Sequence, residues 1–600
     1  MSRVDRALRA ANDLLTRSQP AQAREMLSAA VKQDPKSPHL LHALATAHHQ
    51  LGDHDKALSI ISSLARNNDV AEVHFTYGIV LKAMGRYDGA LAELRRAAAL
   101  RPRSAQIQTE LASTLLKMAK LGEAIEHGRL AMELSPGDAA AAGVVLVALN
   151  AAGLSAQAYE TASSILERRP NDLNAAAVRA FSGNYLDTLT PEQVFEDHQA
   201  FGEISRRSAP RARTTPTAFA NARDPDRQLR IAFLSQDLRT HSVAFFLEPL
   251  LAAIDRSRFA VHIFSATLLP DARTERFRAL ADVWTDVARQ PAPAVAESVR
   301  QQGVDVLIDL GGLTSPHLLT ILEHDLAPVQ ATYLGYPNTT GLTSVGYRFA
   351  DSHTDPPGAE KFCVEKLVRL DPCFLCFQPP DESPPPTSPA QRAPDAPITF
   401  ASFNVLQKIS DTTVSLWTRV LAATPNSRLL MKTAALGDER RRKDLHARFA
   451  NAGISPDRVE LLGRTESLAD HFKAYERTDI ALDTFPYHGT TTTCDALWME
   501  IPVVTLAGST HAARVGVSLL NAVGLPELVA HTHEEFLAIA LRLAADQARR
   551  NDLRTGLRER MRASPLCDSA SFAKRFEHAV RGLWREWCEG GVKSETQRPD

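Results

Sequence analysis

Alanine recurs in an equivalent setting at Ala23, Ala57, Ala90, Ala124 and Ala158, with successive separations of 34, 33, 34 and 34 residues. A period of this size limits the first part of the chain to a stack of like units, because a repeated supersecondary unit can cover its apolar face only with its neighbours. Two other residue types keep the same register. Gly52, Gly85 and Gly153 stand five residues before the alanine, and Pro35, Pro102, Pro136 and Pro170 stand twelve after it. Glycine relaxes a turn, a small side chain lets two helices lie close, and proline stops a helix before the next unit begins. The second unit carries Asp69 in the place of the proline. We expect five helix pairs spanning residues 4–172.

Helix, glycine turn, helix and proline-marked turn make up the tetratricopeptide pattern, and Leu81 to Leu91 is close to its consensus. A stack of this kind forms a concave groove suited to extended peptides, so residues 4–172 read either as a scaffold or as an arm that recruits a substrate protein. Five histidines crowd the second unit (His39, His42, His48, His49 and His54), but no carboxylate or cysteine completes a ligand set around them, and we read them as ordinary repeat positions.

Composition narrows what the rest can do. The formal net charge of -2 argues against a surface built for nucleic acid. Six cysteines, none before Cys363, do not make a disulfide framework. The pair Cys373 and Cys376 has no second pair or nearby histidine, so we treat both as small buried hydrophobes. The opening Met-Ser-Arg-Val-Asp-Arg has charges where a signal peptide needs an apolar stretch, and the apolar run Ala139 to Leu149 is too short to span a bilayer. The expectation is a cytoplasmic protein without a membrane span, and the composition is compatible with an oligomer.

Beyond the repeats, short apolar segments alternate with helical ones. Residues 229–235, 259–265 and 304–310 read as strands, as do 398–403, 427–432, 459–462, 480–483 and 502–505. Strand–helix alternation predicts parallel, doubly wound sheets. Eight prolines between Pro379 and Pro397 interrupt the alternation. The expected organisation is therefore a helical connector over 173–227, a first α/β lobe over 228–378, a proline-rich linker over 379–397, a second α/β lobe over 398–585 and a flexible tail over 586–600.

In open α/β sheets ligands bind beyond the carboxyl ends of the strands. Three such loops are unusual in composition. One carries His241, and a second carries Gly311 and Gly312, where a backbone could come close to a ligand. The third runs Thr484-Phe-Pro-Tyr-His-Gly-Thr-Thr-Thr-Thr-Cys-Asp495 into a helix. Free N–H groups and hydroxyls at a helix N-terminus suit a phosphate, while the same residues also serve as a plain N-cap, and the spacing alone does not choose. No P-loop and no full dinucleotide fingerprint follows any expected strand, which argues against an ATPase or a dehydrogenase.

Residues 228–570 resemble the catalytic region of the O-GlcNAc transferase family, and within it most closely the SPINDLY branch of protein O-fucosyltransferases. The stretches that carry the resemblance are 233–246, 334–342, 350–357 and 482–495, the first reading Phe-Leu-Ser-Gln-Asp-Leu-Arg-Thr-His-Ser-Val-Ala-Phe-Phe. The resemblance implies a two-lobed GT-B glycosyltransferase, inverting and independent of metal or cofactor, that moves a sugar from a nucleotide to Ser or Thr hydroxyls of acceptor proteins held by the repeats. By the same resemblance Lys408 contacts the donor diphosphate, Thr490, Thr491 and Thr492 contact its phosphates, Asp495 holds the ribose and His471 stacks on the base. His241 lies near the acceptor hydroxyl as a base or an orienting group. Leu468 and Ala474 stand where GlcNAc-transferring members place a lysine and an arginine around uracil, which weakens UDP, and the SPINDLY-like wording of the other motifs raises GDP-fucose as donor. Leu313 and Asp495 depart from the SPINDLY branch, which has histidine and glutamate there. UDP-GlcNAc is the alternative donor, and a CMP-linked nonulosonic acid a further one, since similar bacterial proteins glycosylate flagellin. A repeat scaffold with an inactive glycosyltransferase domain is the alternative of another class.

Overall fold

The computed structural model describes residues 3–208, 219–381, 383–385 and 397–590. The chain divides at Thr161 into two compact units.

The first unit is helical throughout: α1 (Arg3–Thr16) with α2 (Pro20–Gln33), α3 (Pro38–Gln50) with α4 (His54–Ala65), α5 (Ala71–Ala83) with α6 (Tyr87–Leu100), α7 (Ala105–Lys117) with α8 (Leu121–Leu134), and α9 (Ala139–Ala151) followed by α10 (Ser155–Arg168), which crosses the division. All five register alanines are fully buried, as helices in close contact require. Gly85 turns between its two helices at φ +73°, and the left-handed turn recurs even without glycine, at Ser18 (φ +56°) and Ala119 (φ +57°). The repeat geometry therefore imposes the conformation and glycine only lowers its cost. Two of the crowded histidines have local partners, His42 Nε2 at 2.7 Å from Thr76 Oγ1 and His48 Nδ1 at 3.1 Å from Asp53.

The second unit opens with two helices, α11 (Leu173–Gly183) and α12 (Pro191–Ser208). The sequence reading made this stretch a connector. Instead Ala176, Ala177, Ala180, Phe201 and Ile204 share a core with Leu313, Tyr336 and Leu342 of the first α/β lobe. The tyrosine hydroxyl is fixed there by Asn184 and by His198, each at 2.7 Å. The hairpin is thus built into the lobe, and the rest of the expected connector lies partly outside the described residues, at 209–218.

The first lobe holds β1 (Leu229–Ser235), α13 (Ala244–Ala253), β2 (Phe259–Ser265), α14 (Ala272–Leu280), β3 (Val283–Asp286), α15 (Ala292–Gln301), β4 (Val306–Asp309), α16 (Pro316–Leu319), β5 (Val329–Thr332), β6 (Tyr347–Ala350) and β7 (Lys366–Arg369). Its strands are all parallel, in the order β3-β2-β1-β4-β5-β6-β7. The second lobe holds β8 (Ile398–Ser402), α17 (Asp411–Ala423), β9 (Ser427–Lys432), α18 (Glu439–Asn451), β10 (Val459–Leu462), α19 (Leu468–Lys473), β11 (Ile480–Leu482), α20 (Thr491–Trp498), β12 (Val503–Leu506), α21 (Val515–Ala522), β13 (Val529–Ala530), α22 (His533–Ala545), α23 (Gln547–Arg562) and α24 (Ser569–Cys588). Its sheet is also parallel, in the order β10-β9-β8-β11-β12-β13. Buried, β-branched and leucine-rich runs such as Leu229 to Ser235 suit strands covered on both faces.

One boundary differs from the sequence reading. Helix α24 continues to Cys588 and returns to the first lobe, where Phe576 meets Phe349 at 5.3 Å between ring centres and Trp584 Nε1 donates to Asp224 O at 2.9 Å. Of the expected tail, residues 591–600 lie outside the described residues. So do residue 382 and residues 386–396 of the proline-rich linker. Cys373 and Cys376 are fully buried, and burial pushes both thiols up to about 12. No helix among the described residues is long and apolar enough to cross a membrane.

Candidate active site

Strand order reverses between β1 and β4 in the first sheet and between β8 and β11 in the second. Loops diverge from the carboxyl edge at such reversals, leaving a crevice in each lobe. The loops at these points and at neighbouring strand ends line one cleft, with His241, Ser242 and Gly335 on one side and Asn404, Lys408, Tyr487, Thr490, Thr491, Thr492 and His511 on the other.

Lys408 ends a tight turn after β8 (Leu406–Lys408). Its ammonium donates to His488 O at 2.6 Å and lies 4.2 Å from the centre of the Tyr487 ring. Burial pushes it down to about 8, against the pull of Asp483 in the other direction. The loop that presents the threonines is tied from below. Asp483 accepts from Gly489 N at 2.7 Å and from Thr505 Oγ1 at 2.9 Å, and His488 accepts from Gly516 N at 3.0 Å. The loop therefore enters α20 in a fixed geometry. Thr490 caps that helix without a side-chain hydrogen bond to it, Thr492 Oγ1 donates to Asn404 at 2.9 Å, and Thr491 Oγ1 is buried without a partner among the described residues. A helix N-terminus, an unpaired hydroxyl and a lysine thus converge on one end of the cleft, an arrangement suited to a diphosphate.

His471 and Asp495 lie beside this wall. His471 Nδ1 accepts from Lys432 Nζ at 2.8 Å, so the ring proton sits on Nε2, which faces Asp495 at 3.9 Å. Phe403 and Tyr475 surround the imidazole at 5.8 and 5.5 Å between ring centres. Asp495 is buried, its carboxyl is raised by that burial, and its Oδ1 lacks a hydrogen-bond partner among the described residues. An unpaired buried carboxylate oxygen next to aromatic rings suits a ribose hydroxyl.

His241 accepts from Val243 N at 3.3 Å through Nδ1, with Asp237 at 3.9 Å from Nε2. Burial lowers its pKa, against the pull of Asp237 in the other direction.

Gly311 and Gly312 are placed differently from the sequence reading. Their N–H groups both donate to Asp309, at 3.1 and 2.7 Å, and Gly312 lies against Tyr336. They build the turn after β4 and are absent from the cleft lining.

Sequence reasoning missed three groups. Tyr487 stacks on Tyr185 of the α11–α12 hairpin at 4.7 Å, with the ring planes 9° apart. Asn404 lies one residue beyond Phe403. His511 follows β12, one more strand end that composition did not mark. The last is linked to the opposite lobe through Asp355 and Arg348, at 2.5 and 3.1 Å from its Nδ1.

Comparison with known proteins agrees with this architecture. Tetratricopeptide repeat models match residues 14–75 and 77–139. The protein named probable UDP-N-acetylglucosamine–peptide N-acetylglucosaminyltransferase SPINDLY from Petunia hybrida is 41% identical over 429 residues, covering 71% of this chain and 46% of that protein. Its namesake SEC from Arabidopsis thaliana is 29% identical over 376 residues, covering 61% of this chain and 38% of that protein. The chain spans about half the length of the curated relatives it matches. Among solved structures, an O-GlcNAc transferase mutant from Thermobaculum terrenum superposes with a TM-score of 0.67 at 32% identity, covering 92% of this chain and 98% of that one. With the glycosyl transferase family 41 model matching residues 212–378 and 386–576, on both sides of the proline-rich segment, the chain belongs to that family.

Proposed function

We propose that the protein is an inverting protein O-glycosyltransferase that moves a sugar from a nucleotide to Ser or Thr hydroxyls of a protein held by the repeats. The observation that carries this reading is the convergence of Lys408, the α20 N-terminus and the unpaired Thr491 hydroxyl in the cleft. The acceptor oxygen attacks the anomeric carbon as the bond to the diphosphate breaks. The charge that develops on the diphosphate meets a lysine and oriented N–H groups that are already in place, an electrostatic contribution that is often the largest single one in catalysis. Lys408 and the helix terminus supply this charge, so the reading needs no metal. His471 and Asp495 hold the nucleoside.

The donor we propose is GDP-fucose. The relatives' names carry UDP-N-acetylglucosamine. Here, however, the positions flanking His471 hold Leu468 and Ala474, an exposed leucine and a buried alanine in place of the lysine and arginine expected around uracil. Thermal-shift titration with GDP, UDP and CMP tests the donor, since a ligand at a hundred times its Kd stabilises the folded state by about 2.7 kcal/mol. A shift with GDP alone is expected, and a shift with UDP alone overturns the choice of fucose. Incubation with labelled nucleotide sugars and an acceptor proteome tests the activity itself. Folded protein that binds no nucleotide and transfers no sugar would leave a scaffold as the reading.

A further inference from the structure

We infer that His511 takes the proton from the acceptor hydroxyl, and that Asp355, reaching from the opposite lobe, is its positioning residue. This rests on the glycosyltransferase reading above.

Three observations lead here. The first is the tautomer. Asp355 Oδ2 lies 2.5 Å from His511 Nδ1, a closer approach than the 3.1 Å of the Arg348 guanidinium to the same nitrogen, and a carboxylate only accepts, so Nδ1 carries the proton toward Asp355. Asp355 is itself fixed by Arg348 at 2.5 Å, and the Phe374 ring meets the imidazole edge-on at 5.0 Å. The imidazole is thereby held in one plane. Among the described residues no protein group bonds Nε2, and His511 lines the cleft. A lone pair on a fixed ring facing a reacting centre is the arrangement by which a carboxylate–histidine pair accepts a hydroxyl proton.

The second is position. The second sheet runs β10-β9-β8-β11-β12-β13. Along its carboxyl edge, His471 follows β10 and Lys432 ends β9. Lys408 follows β8, the threonine loop follows β11, and His511 follows β12. The nucleoside-suited groups therefore lie at one end, the diphosphate-suited groups in the middle and His511 beyond them, on the side left for the sugar and the attacking hydroxyl.

The third is the alternative base. His241 has its Nδ1 lone pair engaged by Val243 N and its Nε2 proton directed toward Asp237, so neither ring nitrogen offers a free lone pair to the cleft.

In the step, the acceptor Oγ bonds to the anomeric carbon. The bond from that carbon to the diphosphate oxygen breaks with its electron pair staying on the diphosphate, and the Oγ proton passes to His511 Nε2. The resulting imidazolium is stabilised by Asp355 and loses its proton to solvent once the product leaves. The charged groups that face this pair are Arg348 and Arg514, with Lys408 and the titratable His241 on the same cleft.

The test uses the full chain with the labelled nucleotide sugar that supports transfer by the wild type. His511→Gln should lower kcat by about 10²–10⁴-fold and abolish the acidic limb of the kcat/KM profile, with nucleotide-induced thermal shifts unchanged. Asp355→Asn should lower kcat, leave KM within about twofold and move that limb to lower pH. His511→Asn serves if the glutamine variant does not fold. Transfer by a folded His511 variant within about threefold of wild type overturns the inference. So does a fall in nucleotide affinity that accounts for the whole loss, which would make His511 a diphosphate contact. Wild-type protein that transfers from no donor overturns the glycosyltransferase reading, and the inference falls with it.

Discussion

The two units bury their apolar residues in opposite ways. In the repeat, Ala23, Leu27, Leu40 and Ala43 form a cluster of their own, and Ala71, Ala97 and Ile107 form another, each confined to neighbouring helices. In the second unit one large apolar core runs from Leu229 to Trp584 through both lobes, beside the smaller one that the α11–α12 hairpin shares with the first lobe. A stack of nearest-neighbour contacts absorbs a local defect locally. A continuous core does not, and the cleft depends on it, since Asp355 holds His511 from 156 residues away.

Gly341→Ala breaks this comparison most severely. Gly341 has φ +77°, and an added Cβ would stand 1.9 Å from His198 O, a backbone atom of α12 that cannot swing aside. We expect a loss above about 4 kcal/mol, read as a collapse of the second unit's urea midpoint. A variant melting within 2 °C of the wild type, by a margin of about one small stability increment, would show that the hairpin is a tether after all.

What the sequence made legible follows the same division. The 34-residue register needs only local periodicity, and the parallel-strand runs at 229–235, 259–265, 427–432 and 459–462 match their strands residue for residue. Strand β3 was missed because Val-Trp-Thr-Asp is a half-exposed edge without an apolar run. Strand β6 was missed because its Arg348 is buried, which pairing with Asp355 makes tolerable and no pattern reveals. At the site, Lys408, His241 and the threonines were found through strand-end loops and resemblance. His511 and Tyr487 were not, because what marks them is a partner distant in sequence. Gly311 and Gly312 misled because a glycine pair looks the same whether its N–H groups face a ligand or, as here, Asp309.

Two lysines sharpen the contrast next. Lys408→Ala should lower kcat by about 10²–10³-fold while the melting curve stays in place. Lys82 of the repeat, bonded to Glu110 and Ser113 at 2.8 Å each, should tolerate alanine with no change in nucleotide binding. Equal effects of the two on nucleotide binding would mean that Lys408 is not at the diphosphate.

Acidity gives a smaller and more specific effect. Burial holds the Lys408 ammonium near 8, so its charge is present below that pH and lost as pH rises through it. The value of kcat/KM, which reports the free enzyme, should fall about tenfold per pH unit above that point. In the complex the diphosphate favours the charged form, so kcat itself should hold to higher pH. A kcat/KM profile flat to pH 10 would remove Lys408 from the electrostatic role.

The smallest expected effect separates sterics from backbone strain inside the repeat. Gly85 shares with Gly341 a positive φ, +73°, but an added Cβ there meets nothing within 4 Å. Only the left-handed backbone then opposes a side chain, at a cost of about 1 kcal/mol. Ala119 already occupies the equivalent turn at φ +57°, so the geometry tolerates a methyl group. Gly85→Ala should therefore lower the stability of the repeat by about 1 kcal/mol and Ala119→Gly should raise it by up to a similar amount, lessened by the entropy that glycine adds to the unfolded chain. Both are read in urea midpoints against the Gly341→Ala collapse. If Gly85→Ala costs as much as Gly341→Ala, the turns of the repeat are not the independent, neighbour-limited elements that the separate small cores imply.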